Sequence, residues 1–389
     1  MNNLCADISY RSLNKHGEQL CGDMVQLVKD NDDTILVLAD GLGSGVKANI
    51  LSTLTSKIIS TMIANKMSVE DCVSTIVSTL PVCKVRQVAY STFTIVQIEN
   101  NNFAHIFQYD NPKVILLRNG KNFDYPTKTH IISDKKVLES KIKLECNDLF
   151  ITMSDGAVYA GVGQLLNYGW QRENIVEFLE GHYNEKMSAQ SACSLLLDEC
   201  NALYEDMPGD DTTIAAIKIR ERLAVNLMFG PPRNPNDVNK MQAMFFAKQG
   251  KHIVCGGTTS NLTAQYLGKD LITSIDYLDS EIPPTAKIEG VDLVTEGVLT
   301  INRVMEYAKD YLGENKFNNE WRNKEDGASQ IARILFDEAT NINFYVGRAV
   351  NPAHQNPDLP IRFNIKMQLI EELSQALDKM GKVVNMSYF

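Results

Sequence analysis

The sequence lacks the features that mark several protein classes. No apolar stretch reaches the roughly 18 residues that a membrane-spanning helix needs. Residues 1–7 lack the basic segment followed by an apolar one that marks a secretory signal. The net charge is −10 and the lysines and arginines are scattered, which argues against nonspecific nucleic-acid binding. We therefore expect a cytoplasmic protein that binds neither nucleic acid nor membrane.

The cysteines lack the spacing of a metal or redox motif. The eight are spread widely, with no Cys-x-x-Cys pair and no clustered Cys/His spacing. This argues against a zinc site. Most lie within apolar runs, as small buried side chains do, so we expect reduced thiols.

The chain is long enough for two hydrophobic cores. It has 389 residues, of which 44% are hydrophobic and 22% charged, the composition of a globular protein. Up to about residue 220, apolar strands mix with helical segments. The predicted strands are 33–40, 148–153 and 212–219, with an antiparallel meander at 89–117. The predicted helices are 46–65, 68–80, 171–181 and 188–205.

Past residue 220, strands and helices alternate, which is typical of a parallel sheet flanked by helices. We expect residues 1–221 to form an α+β domain. We expect residues 222–389 to form a Rossmann-like, three-layer α/β domain with a mostly parallel sheet and a regulatory or ligand-binding role.

Four acidic loops place aspartate beside glycine at the start or end of a predicted strand. They are Gly22-Asp23, Asp40-Gly41, Asp155-Gly156 and Gly209-Asp210-Asp211. A single Asp-Gly pair is most often a β-turn. Four at strand ends predict carboxylates that meet at one edge of a sheet, where their repulsion resists ionisation unless a multivalent cation neutralises it.

The predicted ligands are all oxygen atoms, which favour magnesium or manganese over zinc or copper. Two such ions about 4 Å apart lower the pKa of a bridging water and polarise a phosphoryl group for in-line displacement. The predicted chemistry is hydrolysis of a phosphate ester.

The same residues resemble a known family, and the motifs agree with it in order and spacing. They are Gly22-Asp23-Met24, Ala39-Asp40-Gly41-Leu42-Gly43-Ser44-Gly45, Asn111-Pro112, Met153-Ser154-Asp155-Gly156 and Asp210-Asp211-Thr212-Thr213. The sequence is similar here to the metal-dependent type 2C (PPM) protein phosphatases, in particular the bacterial branch typified by the sporulation phosphatase SpoIIE. The resemblance covers about residues 5–220. It implies a β-sandwich flanked by helices, with the metal site at one edge.

The resemblance also implies roles for individual residues. Asp40 is expected to bridge two divalent ions, Mn²⁺ or Mg²⁺, and activated water is expected to attack the phosphate without a covalent phosphoenzyme. The implied metal ligands are Asp23, Asp40, the Gly41 carbonyl, Asp155, Asp210 and, as the weaker candidate of its pair, Asp211. The implied catalytic residues are Asp40, Asp155 and Asp210.

The predicted function is hydrolysis of phosphoserine or phosphothreonine on a signalling protein, regulated by the C-terminal domain. The family often has a histidine in the loop where this chain has Leu42 and Ser44, which leaves the general acid open. The alternative is a weakly active or noncatalytic phosphatase-fold sensor that serves the α/β domain. A catalytic α/β domain ranks last, and a homodimer is left open.

The resemblance further implies that helices 46–65 and 68–80 form a regulatory switch. The competing interpretation is that they are simply packed amphipathic helices, and the sequence does not separate the two.

A glycine-rich segment of the second domain follows a predicted strand and opens a predicted helix. Free N–H groups and hydroxyls there can bind an anion, although a capped glycine turn is the alternative. Other predicted strands end near Glu296 and Arg348, and parallel strands bind ligands beyond their carboxyl ends. The residues predicted to bind a small anionic ligand are Gly256, Gly257, Thr258, Thr259, Ser260, Glu296 and Arg348.

Overall fold

A computed structural model describes residues 3–30, 32–79, 91–273, 282–313, 320–349 and 362–389. The chain folds as two compact units, Met1–Glu221 and Arg222–Phe389. Each unit is described by itself, as unit 1 and unit 2. Within the described residues, no helix combines the length and the apolar character needed to cross a bilayer.

Unit 1 contains two sheets and five helices in its described part. The strands are β1 Leu4–Leu13, β2 Asp23–Asp30, β3 Asp33–Gly41, β4 Ser91–Glu99, β5 Phe103–Tyr109, β6 Ile115–Arg118, β7 Lys121–Asn122, β8 Lys128–Ile132, β9 Lys135–Lys143, β10 Leu149–Met153 and β11 Thr212–Glu221. The helices are α1 Gly45–Ala64, α2 Val69–Thr79, α3 Asp155–Val158, α4 Arg172–His182 and α5 Ala189–Leu203. One sheet has the order β1-β11-β10-β6-β7 and the other β2-β3-β4-β5-β9-β8.

The two sheets of unit 1 pack face to face. Alternate residues of each strand point into the space between them, where Leu36 and Leu38 of one sheet meet Phe150 and Ile217 of the other. Helices α1 and α2 cover the outer face of the six-stranded sheet. Helices α4 and α5 cover that of the five-stranded sheet. Unit 1 is therefore a β-sandwich flanked by helices, as the resemblance implied.

The predicted meander at 89–117 was wrong in its third strand. Strands β4 and β5 pair antiparallel, but β6 pairs with β10 in the other sheet. Asp110 turns the chain with a φ of 58°, and β6 is then buried on both faces. Leu116 faces the inter-sheet core while Ile115 and Leu117 face the helices. The start of the predicted meander at 89–90 and the predicted end of the second helix at residue 80 lie outside the described residues.

The second helix begins where the sequence indicates. The Ser68 hydroxyl accepts from the Asp71 N–H at 3.1 Å and donates to its carboxylate at 2.8 Å. This pairing satisfies a free N–H of the first turn, as in a capping box.

Unit 2 contains one seven-stranded sheet in its described part. The strands are β12 Ala224–Phe229, β13 Lys251–Cys255, β14 Ile272–Thr273, β15 Ala286–Lys287, β16 Leu293–Thr295, β17 Asn341–Val346 and β18 Val383–Tyr388. The helices are α6 Val238–Phe246, α7 Gly257–Leu267, α8 Val298–Leu312, α9 Gly327–Ala332, which continues as a π-helix, and α10 Arg362–Lys379. The sheet order is β14-β15-β16-β13-β12-β17-β18.

The sheet of unit 2 is mixed. Neighbouring strands are parallel along the order β16-β13-β12-β17-β18. At the other edge, β14 and β15 pair antiparallel, as do β15 and β16. Helices α8, α9 and α10 pack on one face, with Leu227 and Phe344. Helix α6 packs on the other face with Met228, and α7 with Val294. These layers agree with the expected α/β architecture.

A buried ion pair joins β6 to the start of β10 in unit 1. Arg118 donates from Nε and from Nη2 to the two carboxylate oxygens of Asp148, each at 2.8 Å. The Asp148 side chain is fully buried, and its carboxylate also accepts from the Glu145 N–H at 2.9 Å. The hydrogen bonds to Asp148, and after them its charge, raise the pKa of the Arg118 guanidinium. This two-point contact fixes the direction in which the chain enters β10.

We predict that Asp148→Asn lowers the free energy of unfolding of unit 1 by about 2 kcal/mol, because it removes the buried carboxylate that accepts two hydrogen bonds from Arg118, which keeps only its exposed partner Glu145. Trp170 fluorescence during urea unfolding measures this in a Trp321→Phe background, where Trp170 is the one remaining tryptophan. Lys121→Ala, which removes an exposed ion pair with Glu180, is the control and should cost about 0–1 kcal/mol. Equal losses in both variants would contradict the prediction.

Candidate metal-binding and catalytic site

Two of the predicted site residues face each other across one strand pair. Asp23 begins β2 and Asp40 lies near the end of β3, and the antiparallel register pairs them directly. Side chains at directly opposed positions project from the same face of the sheet. The pairing therefore brings two carboxylates together at one end of the six-stranded sheet.

Three further aspartates come from the other sheet. Strands β10 and β11 are neighbours, with Met153 opposite Ile214. Asp155 follows β10 as the first residue of α3, and Asp210 and Asp211 directly precede β11. The end of β10 and the start of β11 therefore lie side by side and carry these acids to one place.

Ser154 connects the two sheets at this point. Its hydroxyl donates to Asp23 Oδ2 at 2.7 Å and accepts from the Thr213 N–H at 2.9 Å. It is fully buried. The motif Met153-Ser154-Asp155-Gly156 contains Ser154 but does not predict this contact, because the bond to Asp23 spans 131 residues.

The glycines beside the aspartates allow close packing. A Cβ on Gly41 would lie 2.1 Å from the Ala48 carbonyl oxygen of α1. A Cβ on Gly156 would lie 2.2 Å from the Asp211 carbonyl oxygen. No side chain fits at either distance, so both positions require glycine. The glycines of these Asp-Gly pairs thus allow neighbouring segments to pack closely beside the aspartates.

Asp23, Asp40, Asp155, Asp210 and Asp211 are here called the aspartate cluster, and the pKa of the first four is raised. Burial raises the pKa of Asp40 to about 9, and the charges of Asp23, Asp155 and Asp210 add to the shift. Burial raises the pKa of Asp23 to about 7, against the opposing effect of the bonds from Ser154 and Thr213. Burial and then the Asp210 charge raise the pKa of Asp155. Burial also raises the pKa of Asp210.

Some oxygens of the aspartate cluster have partners and others have none. The Asp40 carboxyl is hydrogen-bonded to Asp155. Asp211 Oδ1 accepts from the Lys15 N–H at 3.0 Å. In contrast, Asp23 Oδ1 and Asp211 Oδ2 are buried without a hydrogen-bond partner. Buried carboxylate oxygens are normally satisfied, so these two are available to a cation.

The donor set fits a hard divalent ion, although the cluster is not closed around one point. Within the described part of the chain, no three His, Cys, Asp or Glu side chains are arranged to hold one ion together. Magnesium usually binds through one or two carboxylates and keeps several waters. A site in which only one or two carboxylates reach each ion is therefore compatible with magnesium. The roles of these residues and of the Gly41 carbonyl as ligands stay predictions.

The loop after Asp40 is held by another contact. The Ser44 hydroxyl donates to the Glu18 carboxylate at 3.1 Å. Lys15 lies near enough for its charge to oppose the rise that burial causes in the pKa of Asp210. The structure therefore places one cationic side chain beside the aspartate cluster.

In unit 2, most of the predicted ligand residues lie together. Gly257 to Ser260 form the first turn of α7 after Gly256, and one Glu296 oxygen lies 3.5 Å from the position that a Cβ on Gly257 would take. Arg348 lies apart, at the end of β17, with its guanidinium 4.8 Å from the centre of the Tyr388 ring. The Ser260 hydroxyl donates to the Gly256 carbonyl at 2.9 Å, so this hydroxyl is already bonded within the turn.

Comparison with known proteins supplies a family for unit 1. Residues 30–220 match the family described as Stage II sporulation protein E (SpoIIE). The match begins after Asp23 and includes the other members of the aspartate cluster. No curated protein matches the chain significantly.

Several solved structures are similar in fold. One is the PP2C phosphatase domain, with a fragment of the regulatory domain, of the cell fate determinant SpoIIE from Bacillus subtilis, with 19% identity over 56% of this chain and 64% of that chain and a TM-score of 0.49. Another comprises the RsbU and RsbW domains of a Mycobacterium tuberculosis protein, with 16% identity, 61% and 68% coverage and a TM-score of 0.47. A third is RsbX in complex with magnesium, with 20% identity, 55% and 95% coverage and a TM-score of 0.40.

The chain thus spans 64% of the length of the first of these structures. The resemblance inferred from the sequence for about residues 5–220 is confirmed by the family match over residues 30–220. Residues 30–220 form a SpoIIE-family domain of the PP2C-like phosphatase kind.

Proposed function

We propose that unit 1 hydrolyses phosphoserine or phosphothreonine on a protein substrate, in signalling, with two divalent ions as cofactors. The observation that carries this proposal is the aspartate cluster. Five carboxylates from two sheets lie together, burial and neighbouring charge raise the pKa of Asp23 and Asp40, and the buried oxygens Asp23 Oδ1 and Asp211 Oδ2 are unpaired. A purely structural role would favour arginine or lysine partners at this point.

Manganese or magnesium suits the all-oxygen donor set. The residues that would hold the ions are Asp23, Asp40, Asp155, Asp210, Asp211 and the Gly41 carbonyl. When bound, such ions supply the positive charge that lowers the pKa of water and offsets the charge of a phosphoryl group.

The chain's own residues orient the donors and set their charge. Ser154 donates to one oxygen of Asp23 and so leaves the other free. The Lys15 backbone N–H donates to Asp211 Oδ1 and so leaves Asp211 Oδ2 free. The hydrogen bond between Asp40 and Asp155 holds these two carboxyl groups together against their repulsion. Both would serve as ligands when a divalent cation is bound.

A weakly active or noncatalytic sensor is the second candidate, and one observation favours it. The loop after Asp40 carries Leu42 and Ser44, and the Ser44 hydroxyl is bonded to Glu18. Neither side chain titrates near neutral pH, so the loop offers no general acid for the leaving alkoxide. Regulation by unit 2 is part of the proposal in both cases.

We predict that divalent ions stabilise unit 1 through the aspartate cluster. Manganese at about 100 times its dissociation constant should raise the free energy of unfolding by about 2.7 kcal/mol. In Asp40→Asn the gain should largely disappear, because the residue between the two predicted ion positions loses its charge. Thermal unfolding with manganese or with EDTA measures both. An unchanged gain in Asp40→Asn would place the bound metal elsewhere.

We also predict that hydrolysis depends on the same carboxylates. Phosphate release from an aryl phosphate and from a phosphoserine peptide in manganese should fall by roughly 100-fold or more in Asp40→Asn and Asp155→Asn, because metal charge contributes several kcal/mol in the transition state. Asp124→Asn is the control, since Asp124 is exposed and pairs only with Lys113. Equal turnover in all four proteins would remove the catalytic assignment and leave the sensor.

A further inference from the structure

The sheet of unit 2 reverses its winding between β12 and β17. The first strand of the unit, β12, lies in the centre, and the parallel order is β16-β13-β12-β17-β18. The chain thus adds β13 and β16 on one side and then β17 and β18 on the other. Open α/β sheets bind ligands beyond the carboxyl ends of their strands, where the winding reverses.

Two helix N-termini meet at this edge. Helix α7 follows Gly256 and helix α8 follows Gly297, and neither start has a side-chain cap. A Cβ on Gly297 would lie 3.4 Å from the Gly256 Cα, so the two starts are adjacent. Each presents free N–H groups and the positive end of a helix dipole, which together favour an anion.

A buried hydroxyl accompanies each helix start. Thr259 and Thr300 are each the third residue of their helix and are 2% and 0% exposed. Neither hydroxyl has a hydrogen-bond partner. Thr259 Oγ1 lies 3.3 Å from the position that a Cβ on Gly256 would take, so it is directed at the start of α7. Unpaired buried hydroxyls are rare because they cost free energy, and an anion at the helix start would supply acceptors.

A lysine occupies the point of reversal itself. Lys366 of α10 donates to the Gly347 carbonyl after β17 at 2.6 Å and lies 5.0 Å from the centre of the Phe229 ring at the end of β12. Burial lowers its pKa to about 8. Among the described residues no carboxylate forms an ion pair with it. The Phe229 ring also approaches the Cβ position of Gly297 to 3.7 Å, so it contacts both the lysine and the helix starts.

An acidic side chain already lies at the helix starts. Glu296 Oε2 accepts from the Gly297 N–H at 3.3 Å, and its Oε1 lies 3.5 Å from the Cβ position of Gly257. The glutamate is exposed, so it can move aside. The helix starts thus accept a carboxylate, and this one would compete with any other anion.

We propose that this edge of unit 2 binds a phosphorylated small molecule. Its phosphate would lie against the N-termini of α7 and α8 with the Thr259 and Thr300 hydroxyls, and Lys366 would hold a second charge or polar group beyond the Phe229 ring. A phosphate has enough acceptor oxygens for two helix starts, whereas one carboxylate has two. Arg348 is not part of the site because it stacks on Tyr388. The inference does not depend on the function proposed for unit 1.

The test uses the full chain in EDTA and in the Asp40→Asn background, so that neither metal-dependent binding in unit 1 nor turnover contributes. Calorimetric titrations with inorganic phosphate, pyrophosphate and ADP separate free phosphate from a phosphorylated organic molecule. We expect at least one probe to bind one site per chain.

Three variants should change that affinity, in different directions, and a fourth should leave it unchanged. Lys366→Met should weaken binding about 10-fold by loss of a charged hydrogen bond. Thr259→Val should weaken it about 3-fold while raising the melting temperature without ligand, because it removes an unpaired hydroxyl. Glu296→Gln should tighten it about 3-fold by removing a competing charge. Lys251→Met, at the opposite end of the sheet where Lys251 pairs with Glu338, should change nothing.

Three results would overturn the proposal. They are the absence of binding by every probe in both the parent and Glu296→Gln, equal affinity of the parent and Lys366→Met, and weaker binding in Glu296→Gln. Should Lys366→Met not fold, Thr259→Val and Glu296→Gln decide the question, because their opposite effects on affinity do not follow from a change in folding.

Discussion

The repulsion among five aspartates dominates the functional end of unit 1. Burial and mutual charge raise the pKa of Asp40 to about 9 and that of Asp23 to about 7. The fold keeps these side chains together although burial, and after it the charges of neighbouring aspartates, disfavour the ionisation of Asp23, Asp40, Asp155 and Asp210. Ser154 and the Lys15 N–H fix two of them in orientation, each through one oxygen. The sandwich therefore supplies, from its own bonds, an arrangement of negative charge that a divalent cation would complete.

The position of this charge follows from the meeting of the two sheets. Asp23 and Asp40 belong to one sheet, and Asp155, Asp210 and Asp211 follow or precede strands of the other. The inter-sheet core of Leu36, Leu38, Phe150 and Ile217 sets the distance between the sheets. A change in that core would alter the spacing of the carboxylates, so packing and electrostatics are coupled here.

Local sequence patterns predicted the residues that carry charge and the elements that they flank. The Asp-Gly pairs and the start of the second helix could be read from the sequence because their signals lie within a few residues. The contact of Ser154 could not, since it depends on Asp23, which is distant in sequence. The transfer of β6 to the second sheet and the strands β1, β8 and β9 were also missed. These elements are defined by pairing with remote strands, and polar residues on their exposed sides weaken the apolar pattern.

The pairing of β1 with β11 affects how unit 1 folds during synthesis. Leu4 lies opposite Glu221 and Leu13 opposite Thr212, so the first strand of unit 1 binds the last. During synthesis β1 must wait until more than 200 further residues have been made. Closing so long a loop is slow and leaves the outer edge of β11 uncovered meanwhile. Completion of the five-stranded sheet is therefore expected to be a late event, reached only as the ribosome passes into unit 2.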